Sequence, residues 1–130
     1  MPKATGKFSV SLKPEATRVF GDTTLGRYSL NKTFTGDLAA ESVVDMLSGG
    51  STASAAGAYV AMELVTGTLN GQRGSFLLSH QGFMTKSSMS LDVKIAPGCG
   101  TGELQSITGT MVIRIEGDDH FYDLEYEFKP

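Results

Sequence analysis

The fold is decided by residues 58–83, AYVAMELVTGTLNGQRGSFLLSHQGF, in which two β-rich runs flank Asn70 and Gly71. Asn-Gly between such runs is typical of a two-residue type I′ turn, because both central residues of that turn need a positive φ. With this turn at the tip, Leu69 faces Gln72 and the pairing is fixed outward from there. The stretch is therefore predicted to be a β-hairpin.

The register also assigns every side chain to a face, because successive side chains of a strand point to opposite sides. One face carries Tyr59, Ala61, Glu63, Val65, Phe76, Leu78 and His80. On it Glu63 and His80 are diagonal neighbours, roughly 7 Å apart at the backbone and within side-chain reach. The other face carries Val60, Met62, Leu64, Ser75, Leu77 and Ser79. Both faces are largely apolar, so we expect one to line a core and the other to be covered by a neighbouring segment or a second subunit.

Length and composition narrow the class of protein. The chain has 130 residues, which suit one domain over residues 1–130, and a net charge of −3 with no basic run, so nucleic acid is not an expected partner. No apolar run is long enough to span a bilayer, and the first residues lack the apolar segment of a signal peptide. A single cysteine, Cys99, fits a reducing compartment. We expect a cytoplasmic protein without a membrane partner.

The N-terminal third is predicted to form strands. Residues 7–13 alternate apolar and polar side chains and predict a short strand ended by Pro14. Residues 15–22 are interpreted as a loop or an irregular strand. Residues 24–35 predict the next strand.

A tight turn at residues 36–37 would place Lys32 opposite Glu41 as a cross-strand ion pair. Residues 38–47 then return as a strand, although their spacing also fits a helix. Residues 48–56, small and rich in glycine, are interpreted as a mobile loop.

After the hairpin, residues 87–96 predict a strand with Met89, Leu91, Val93 and Ile95 on one face. Residues 97–102 break it, and residues 103–107 are expected to form one helical turn. Residues 108–116 and 121–128 predict a final hairpin. Its core side carries Met111, Ile113, Ile115, Tyr122, Leu124, Tyr126 and Phe128. A turn centred on residues 118–119 would place Ile115 opposite Tyr122 and Ile113 opposite Leu124.

About eight strands at short spacing, without a long helical pattern, predict an all-β fold. We favour a single-domain, eight-stranded antiparallel up-and-down barrel, because closure removes exposed strand edges. The alternative is a β-sandwich. An eight-stranded barrel has room for its own side chains or for one small ligand.

The first candidate site is the predicted pair of Glu63 and His80. A carboxylate on a barrel interior is costly unless it is paired, and His80 is placed to be its partner. The pair could be a general acid and base or the polar end of a ligand pocket, and the alternative is a purely structural hydrogen bond. The ligand-binding residues predicted around it are Tyr59, Glu63, Phe76, Leu78, His80, Tyr122 and Tyr126.

Two further segments are weaker candidates. Residues 97–104, PGCGTGEL, could offer backbone N–H groups to an anion, or they form a sharp corner that needs positive φ. Cys99 has no histidine near it in sequence to activate it. His120 lies among three aspartates, which could hold a metal or form a solvated acidic turn, but no known ligand spacing is met. We therefore predict neither a metal nor a cofactor.

The hairpin and the loop at residues 97–110 carry a family resemblance. The stretches AYVAME, GTLNGQRGSFLLSHQG and PGCGTGELQSITGT resemble the uncharacterised bacterial family called domain of unknown function 3224. The chain departs from that family at Cys99, where serine is usual, and at Gln72, an insertion before Arg73. The resemblance implies a small barrel similar to the plant allene oxide cyclase barrel, itself calycin-like, with a lumen able to take an apolar molecule. It implies no reaction, because fold does not carry function.

Three functions follow as hypotheses. The leading one is a cytoplasmic barrel that binds a small apolar ligand, with Glu63 and His80 at the polar end of its lumen. The second is an isomerase or cyclase acting in the same lumen. The third is an assembly role for the outer apolar face, which also predicts a homodimer or a larger homo-oligomer.

Overall fold

The computed structural model describes residues 2–129, so the predicted domain boundaries at residues 1 and 130 lie just outside the described residues. Every regular element in this range is a strand. The strands are β1 (Lys3–Phe20), β2 (Thr23–Gly36), β3 (Leu38–Ser51), β4 (Ala56–Leu69), β5 (Gln72–Met84), β6 (Met89–Ile95), β7 (Thr101–Gly102), β8 (Ile107–Glu116) and β9 (Asp119–Phe128).

The sheet closes on itself. Its order is β4-β3-β2-β1-β9-β8-β6-β5, and β5 pairs back to β4. All pairings are antiparallel. The two-residue β7 lies beside β5 at Gly74 and Ser75, beyond the end of β6. The fold is therefore the predicted single-domain, eight-stranded antiparallel barrel and not a sandwich.

The β4–β5 hairpin has the predicted register. Asn70 and Gly71 form its tip with φ values of 47° and 85°, as a type I′ turn requires. Leu69 pairs with Gln72, and the ladder continues without interruption to the pair of Gly57 and Met84. This hairpin fixes which side chains of β4 and β5 enter the barrel.

The prediction that Pro14 ends the first strand was wrong. β1 continues to Phe20, and residues 15–22, expected as a loop or irregular strand, mostly belong to it. The register shifts between Pro14 and Ala16, which is a β-bulge, and β1 pairs with β9 only up to Phe8. A proline is tolerated at a bulge and on a free strand edge. Pro14 lies next to the bulge and on the part of β1 that does not pair with β9.

The β2–β3 register differs from the prediction by one residue. Lys32 pairs with Ser42 and not with Glu41. The reason is a long-range contact, because Asp37 binds the backbone of Thr5: its N–H donates to the Thr5 carbonyl at 3.1 Å and its carboxylate accepts from the Thr5 N–H at 3.0 Å. These bonds centre the turn on Asp37, and no exposed ion pair between Lys32 and Glu41 forms.

Residues 38–47 form a strand, so the helical alternative was wrong. The prediction of a mobile loop at residues 48–56 was also wrong in its extent. β3 continues to Ser51, and only residues 52–55 connect it to β4. Gly49 and Gly50 pair with β2 on one side and β4 on the other. Glycine content alone did not indicate that this segment lies inside the ladder.

Residues 103–107 do not form a helical turn. The chain makes tight turns there, in which the N–H of Leu104 donates to the Thr101 carbonyl at 2.9 Å and that of Ile107 to the Leu104 carbonyl at 3.3 Å. Leu104 is buried, and it plugs one end of the barrel with Ile107.

The β8–β9 register was wrong by two residues. Ile115 faces His120 and Ile113 faces Tyr122. The turn is Gly117-Asp118, where Gly117 has a φ of 63°, and not residues 118–119. A two-residue shift preserves the face of each side chain, so Met111, Tyr122, Leu124 and Tyr126 are buried as predicted. Ile115 and Phe128 share that face but are 66% and 37% exposed, so their assignment to the core was wrong.

One half of the barrel is filled and the other half is open. The filled half holds the apolar core, which includes Phe8, Phe34, Leu38, Val65, Leu69, Phe76, Leu78, Ile95, Leu104, Ile107, Leu124 and Tyr126. Towards the other end the wall separates, because β6 and β8 pair only through Val93 with Met111 and Lys94 with Thr110. The site described next lies where the filled half meets the open half.

Candidate functional site

Glu63 is a fully buried carboxylate in the middle of the barrel, with 0% of its surface exposed. Its Oε1 atom lies 2.8 Å from His80 Nε2 and accepts a hydrogen bond from Lys32 Nζ at 3.1 Å. Its Oε2 atom accepts from Ser42 Oγ at 2.6 Å. Glu63 therefore has a partner on both oxygens, which a buried carboxylate requires. We call these four residues the Glu63 network.

The partners keep Glu63 ionised. Burial raises the pKa of its carboxyl, but the hydrogen bond from His80, the charge of Lys32 and the hydrogen bond from Ser42 act in the opposite direction and outweigh burial. The net result is a pKa below the usual value of 4.5. Hydrogen bonds and a nearby opposite charge favour the charged form of an acid.

Lys32 supplies the positive charge, although only 8% of its surface is exposed. Its Nζ atom lies 4.9 Å from the ring centroid of Phe8, so the ammonium also has an aromatic neighbour. Sequence reasoning missed Lys32 and Ser42 as site residues. The available signal was alternation, because Lys32 shares its face of β2 with Phe34.

A cavity of about 750 Å³ lies at the open end of the barrel. Its wall comes from β2 to β6 and from β8. The apolar and aromatic side chains that line it are Tyr28, Met46, Tyr59, Phe83, Met84, Met89, Leu91, Ile113 and Ile115. Its volume falls within the range of small-molecule sites, roughly 300–1,000 Å³.

The Glu63 network lies directly below this cavity. Tyr59 lines the cavity, and its ring centroid is 6.5 Å from that of His80. On β5, His80 is the next inward residue below Gly82, which also lines the cavity. His80 is therefore one layer below the lining residues Tyr59 and Gly82, and Glu63 lies one layer deeper.

Two tyrosine rings lie flat on glycines of the cavity wall. A Cβ atom on Gly82 would overlap the ring of Tyr59, and one on Gly26 would lie 2.7 Å from Cε2 of Tyr28. Glycine at these positions lets each ring pack against the backbone instead of filling the lumen. Both tyrosines and both glycines line the cavity.

The predicted ligand-binding residues divide among three places. Tyr59 is on the cavity wall, and Glu63 and His80 meet below it. Phe76 and Leu78 belong to the core beneath them.

Tyr122 and Tyr126 lie in the core away from the cavity, with their hydroxyls engaged by protein groups. The Tyr122 hydroxyl accepts from the Leu38 N–H at 2.9 Å and donates to the Thr35 carbonyl at 2.8 Å. The Tyr126 hydroxyl accepts from Asn70 Nδ2 at 2.8 Å. Burial raises the pKa of Tyr122. The fold thus brings Tyr59, Glu63 and His80 together and separates both tyrosines from them.

The loop at residues 97–104 is a barrel corner. Gly98 and Gly102 have φ values of 84° and 61°. The N–H of Glu103 donates to the Arg73 carbonyl at 2.9 Å, and the carboxylate of Glu103 accepts from the Arg73 N–H at 3.0 Å. Cys99 is exposed and free. The backbone groups of the second half of the loop are thus engaged with β5.

His120 lies on β9, half-buried, with its ring centroid 5.2 Å from that of Phe8. Within residues 2–129, no three His, Cys, Asp or Glu side chains are grouped closely enough to hold a metal ion. The same part of the chain contains no helix long and apolar enough to cross a membrane.

Comparisons with known proteins agree with this architecture. The family described as "Protein of unknown function (DUF3224)" matches residues 4–126. A crystal structure of a protein of unknown function from that family, from Shewanella oneidensis MR-1, has 44% sequence identity and a TM-score of 0.94. The alignment covers 100% of this chain and 98% of that one. No curated protein matches significantly. The chain belongs to the DUF3224 family.

Proposed function

We propose that the protein binds a small apolar molecule in the cavity at the open end of its barrel. The observation that carries this proposal is the cavity itself, about 750 Å³ and lined mainly by apolar and aromatic side chains. A preformed apolar concavity with a few polar groups at one end is the usual form of a small-molecule site. The Glu63 network lies below the lining residue Tyr59, whose ring is 6.5 Å from that of His80, and we propose that it supplies the polar end of the site.

Exposed apolar side chains at the cavity also support the binding of an apolar ligand. Met89 is 75% exposed and Ile115 is 66% exposed, although both line the cavity. They lie on β6 and β8, beyond the last residues through which these two strands pair with each other. Covering such surface removes it from water, which is the main gain when an apolar ligand binds.

Binding is tested with N-phenyl-1-naphthylamine, a neutral apolar dye whose fluorescence increases in apolar surroundings. The test variant is Leu91→Arg, which places a charge on the cavity wall, and the matched control is Val112→Arg, because Val112 is 57% exposed and does not line the cavity. We expect the wild type and the control to bind alike and Leu91→Arg to bind about tenfold more weakly or worse, since an unpaired charge in an apolar site is costly. Equal binding by all three proteins would place the dye elsewhere, and no binding by the wild type would contradict the proposal.

A second candidate function is an isomerase or cyclase that uses His80 as its base. The contact between Glu63 Oε1 and His80 Nε2 favours it, because a carboxylate that orients an imidazole is a recurrent arrangement in acid–base catalysis. Turnover of a bound compound, lost in His80→Phe while binding persists, would distinguish this function from binding alone.

We place this function in the cytoplasm. The support is Cys99, the one cysteine of the chain, which is exposed and free. An exposed free thiol is typical of a reducing compartment. Fractionation of cells that produce the protein, with a periplasmic and a cytoplasmic marker, tests the location.

A further inference from the structure

We propose that the ligand is a neutral apolar molecule that carries a hydroxyl group, and that His80 Nδ1 accepts the hydrogen bond from this hydroxyl. This inference rests on the proposed function, because it names the chemical class of molecule that occupies the same cavity.

The first step concerns Glu63. Its Oε1 atom accepts from the ammonium of Lys32 and its Oε2 atom from the hydroxyl of Ser42. A carboxylate with an ammonium at 3.1 Å and a hydroxyl at 2.6 Å is stabilised in its ionised form. In that form it has no proton to donate, so it acts only as an acceptor.

The second step fixes the tautomer of His80. Because Glu63 only accepts, the 2.8 Å contact between Oε1 and His80 Nε2 requires the hydrogen on Nε2. In a neutral imidazole that carries its hydrogen on one nitrogen, the other nitrogen has a free lone pair. Under conditions in which the ring is neutral, His80 therefore presents Nδ1 as a hydrogen-bond acceptor.

The third step concerns the surroundings of Nδ1. No side chain or backbone group of residues 2–129 is hydrogen-bonded to this atom, whereas every fully buried side-chain nitrogen and oxygen in that range has a partner. Nδ1 therefore keeps contact with accessible space, although the His80 side chain is only 4% exposed. His80 does not itself line the cavity, but its neighbours Tyr59 and Gly82 do, so we infer that the accessible space beside Nδ1 is continuous with the cavity.

These steps select a ligand that donates a hydrogen bond to Nδ1, and a hydroxyl is the donor that we propose. A hydroxyl can donate to a lone pair, whereas an ether oxygen presents only lone pairs and is repelled. A carboxylate ligand would also direct lone pairs at Nδ1, and burying its charge in an apolar cavity without a counter-ion would be costly. The size and apolar lining of the cavity require that the rest of the molecule be hydrocarbon or aromatic.

The test compares 1-naphthol, 1-methoxynaphthalene and 1-methylnaphthalene by calorimetric titration at pH 8, where an ordinary imidazole is neutral. These probes share one ring system and differ in one substituent: a hydroxyl that donates a hydrogen bond, an ether oxygen that only accepts one, and a methyl group that does neither. We expect the wild type to bind 1-naphthol about tenfold more tightly than either of the other two, which corresponds to one neutral hydrogen bond. If all three bind equally, the protein binds apolar molecules but the inference fails. If none binds, the proposed function fails and the inference fails with it.

His80→Phe keeps an aromatic ring and removes the acceptor, so the preference for 1-naphthol should fall to about onefold. His120→Phe is the matched control, because it makes the same change at a histidine that does not line the cavity. It should keep the preference. Tyr59→Phe and Tyr28→Phe test the rival partners, because each removes the hydroxyl of a cavity-lining ring. Loss of the preference in either tyrosine variant, with the preference of His80→Phe unchanged, would assign the hydrogen bond to that tyrosine and overturn the inference.

A direct measurement on the wild type does not depend on any variant folding. Long-range ¹H–¹⁵N NMR spectra distinguish the protonated from the unprotonated nitrogen of a neutral imidazole. We expect Nδ1 of His80 to be unprotonated and its signal to move when 1-naphthol is added but not with 1-methoxynaphthalene. A protonated Nδ1 in the free protein would overturn the inference even if naphthalenes bind.

Discussion

Glu63 and His80 are diagonal neighbours on β4 and β5, and their side chains meet with Glu63 Oε1 2.8 Å from His80 Nε2. The two-residue turn at Asn70-Gly71 determines this meeting, because it fixes which residues of the two strands face each other. Lys32 and Ser42 reach the same carboxylate from β2 and β3. One contact set by a local turn thus becomes part of a network that joins four strands.

The first prediction concerns the pairing of Lys32 with Glu63. Glu63→Leu leaves the ammonium of Lys32 buried without its counter-ion, so we expect the free energy of unfolding to fall by about 3–5 kcal/mol. The double change Lys32→Met, Glu63→Leu removes both charges and should be less destabilised than Glu63→Leu alone. Urea denaturation of the two single variants, the double variant and the wild type measures the coupling.

His80→Leu is the informative comparison for this cycle. It leaves Glu63 with Lys32 and Ser42 as partners, so its cost should be smaller than that of Glu63→Leu. If the effects of Lys32→Met and Glu63→Leu on the free energy of unfolding simply add, the coupling energy between the two residues is zero. Lys32 and Glu63 then do not stabilise each other in the fold.

The hairpin could be predicted from sequence because its decisive signal is local. Asn70 and Gly71 specify a turn type, the turn specifies the register, and the register places Glu63 and His80 on one face. All of these steps involve residues within one continuous stretch. The fold class followed from the same logic, because short alternating strands separated by turns favour a closed barrel.

The other half of the network could not be predicted because its register depends on a distant residue. The β2–β3 turn is centred on Asp37 through its bonds to Thr5, 32 residues away in sequence. The local pattern at residues 36–37 favoured a register shifted by one residue, which pairs Lys32 with Glu41. Such a shift exchanges the facing partners, so Ser42 was not recognised beside Lys32.

The position of the cavity at one end of the barrel could not be predicted from the sequence either. It exists because β6 and β8 pair at only two positions, whereas β2 to β5 continue past them. Strand length beyond the last shared hydrogen bond is a property of the assembled sheet and not of either strand. The sequence indicated a lumen, but not which half of it would stay open.

The second prediction tests the turn that sets the register. Gly71 has a φ of 85°, and a Cβ atom there would meet nothing within 4 Å. Gly71→Val therefore adds backbone strain without a steric clash, and it should cost about 1–3 kcal/mol of unfolding free energy. Thermal denaturation with Gly71→Asn as the control checks it, because asparagine tolerates positive φ. An unchanged melting temperature in Gly71→Val would mean that the tip closes in another conformation.

The third prediction concerns pH. The pKa of Glu63 is lower in the folded protein than the ordinary 4.5, so the ionised carboxylate stabilises the fold. That contribution is fully present above about pH 4.5, and it is lost as the pH falls from there through the folded pKa. Urea denaturation between pH 3 and 7 should show a steeper acid loss in the wild type than in Glu63→Gln.

Glu15→Gln is the matched control for the pH series. The pKa of Glu15 is also lowered, chiefly by its hydrogen bond from Ser29, but this carboxylate is exposed to solvent. Because solvent screens such interactions, the acid slope of Glu15→Gln should stay close to that of the wild type. Equal acid slopes in all three proteins would show that ionisation of Glu63 does not contribute to the free energy of unfolding.

The fourth prediction concerns the outer surface of β3 and β4. Val43, Leu47, Val60, Met62 and Leu64 are each more than 40% exposed there. Val43 pairs with Leu64 and Leu47 with Val60, so they form one patch. We expect a second copy of the chain to cover it as a homodimer, because pairing the same apolar patch about a two-fold axis removes it from water on both copies. Light scattering at tens of micromolar protein should report a dimer that Met62→Lys dissociates, whereas a monomeric wild type would contradict this prediction.

The last prediction concerns the contact between Gly82 and Tyr59. A Cβ atom on Gly82 would overlap the ring of Tyr59, so Gly82→Ala must displace this ring from the wall. Because Tyr59 lines the cavity, we expect the displaced ring to enter it. We expect Gly82→Ala to weaken the binding of N-phenyl-1-naphthylamine several-fold, and Gly82→Ala combined with Tyr59→Ala to recover it. Ser79→Ala, also on β5 but half-buried and outside the cavity lining, should bind like the wild type. If Gly82→Ala binds the dye as tightly as the wild type, the ring of Tyr59 does not control the space in which the ligand lies.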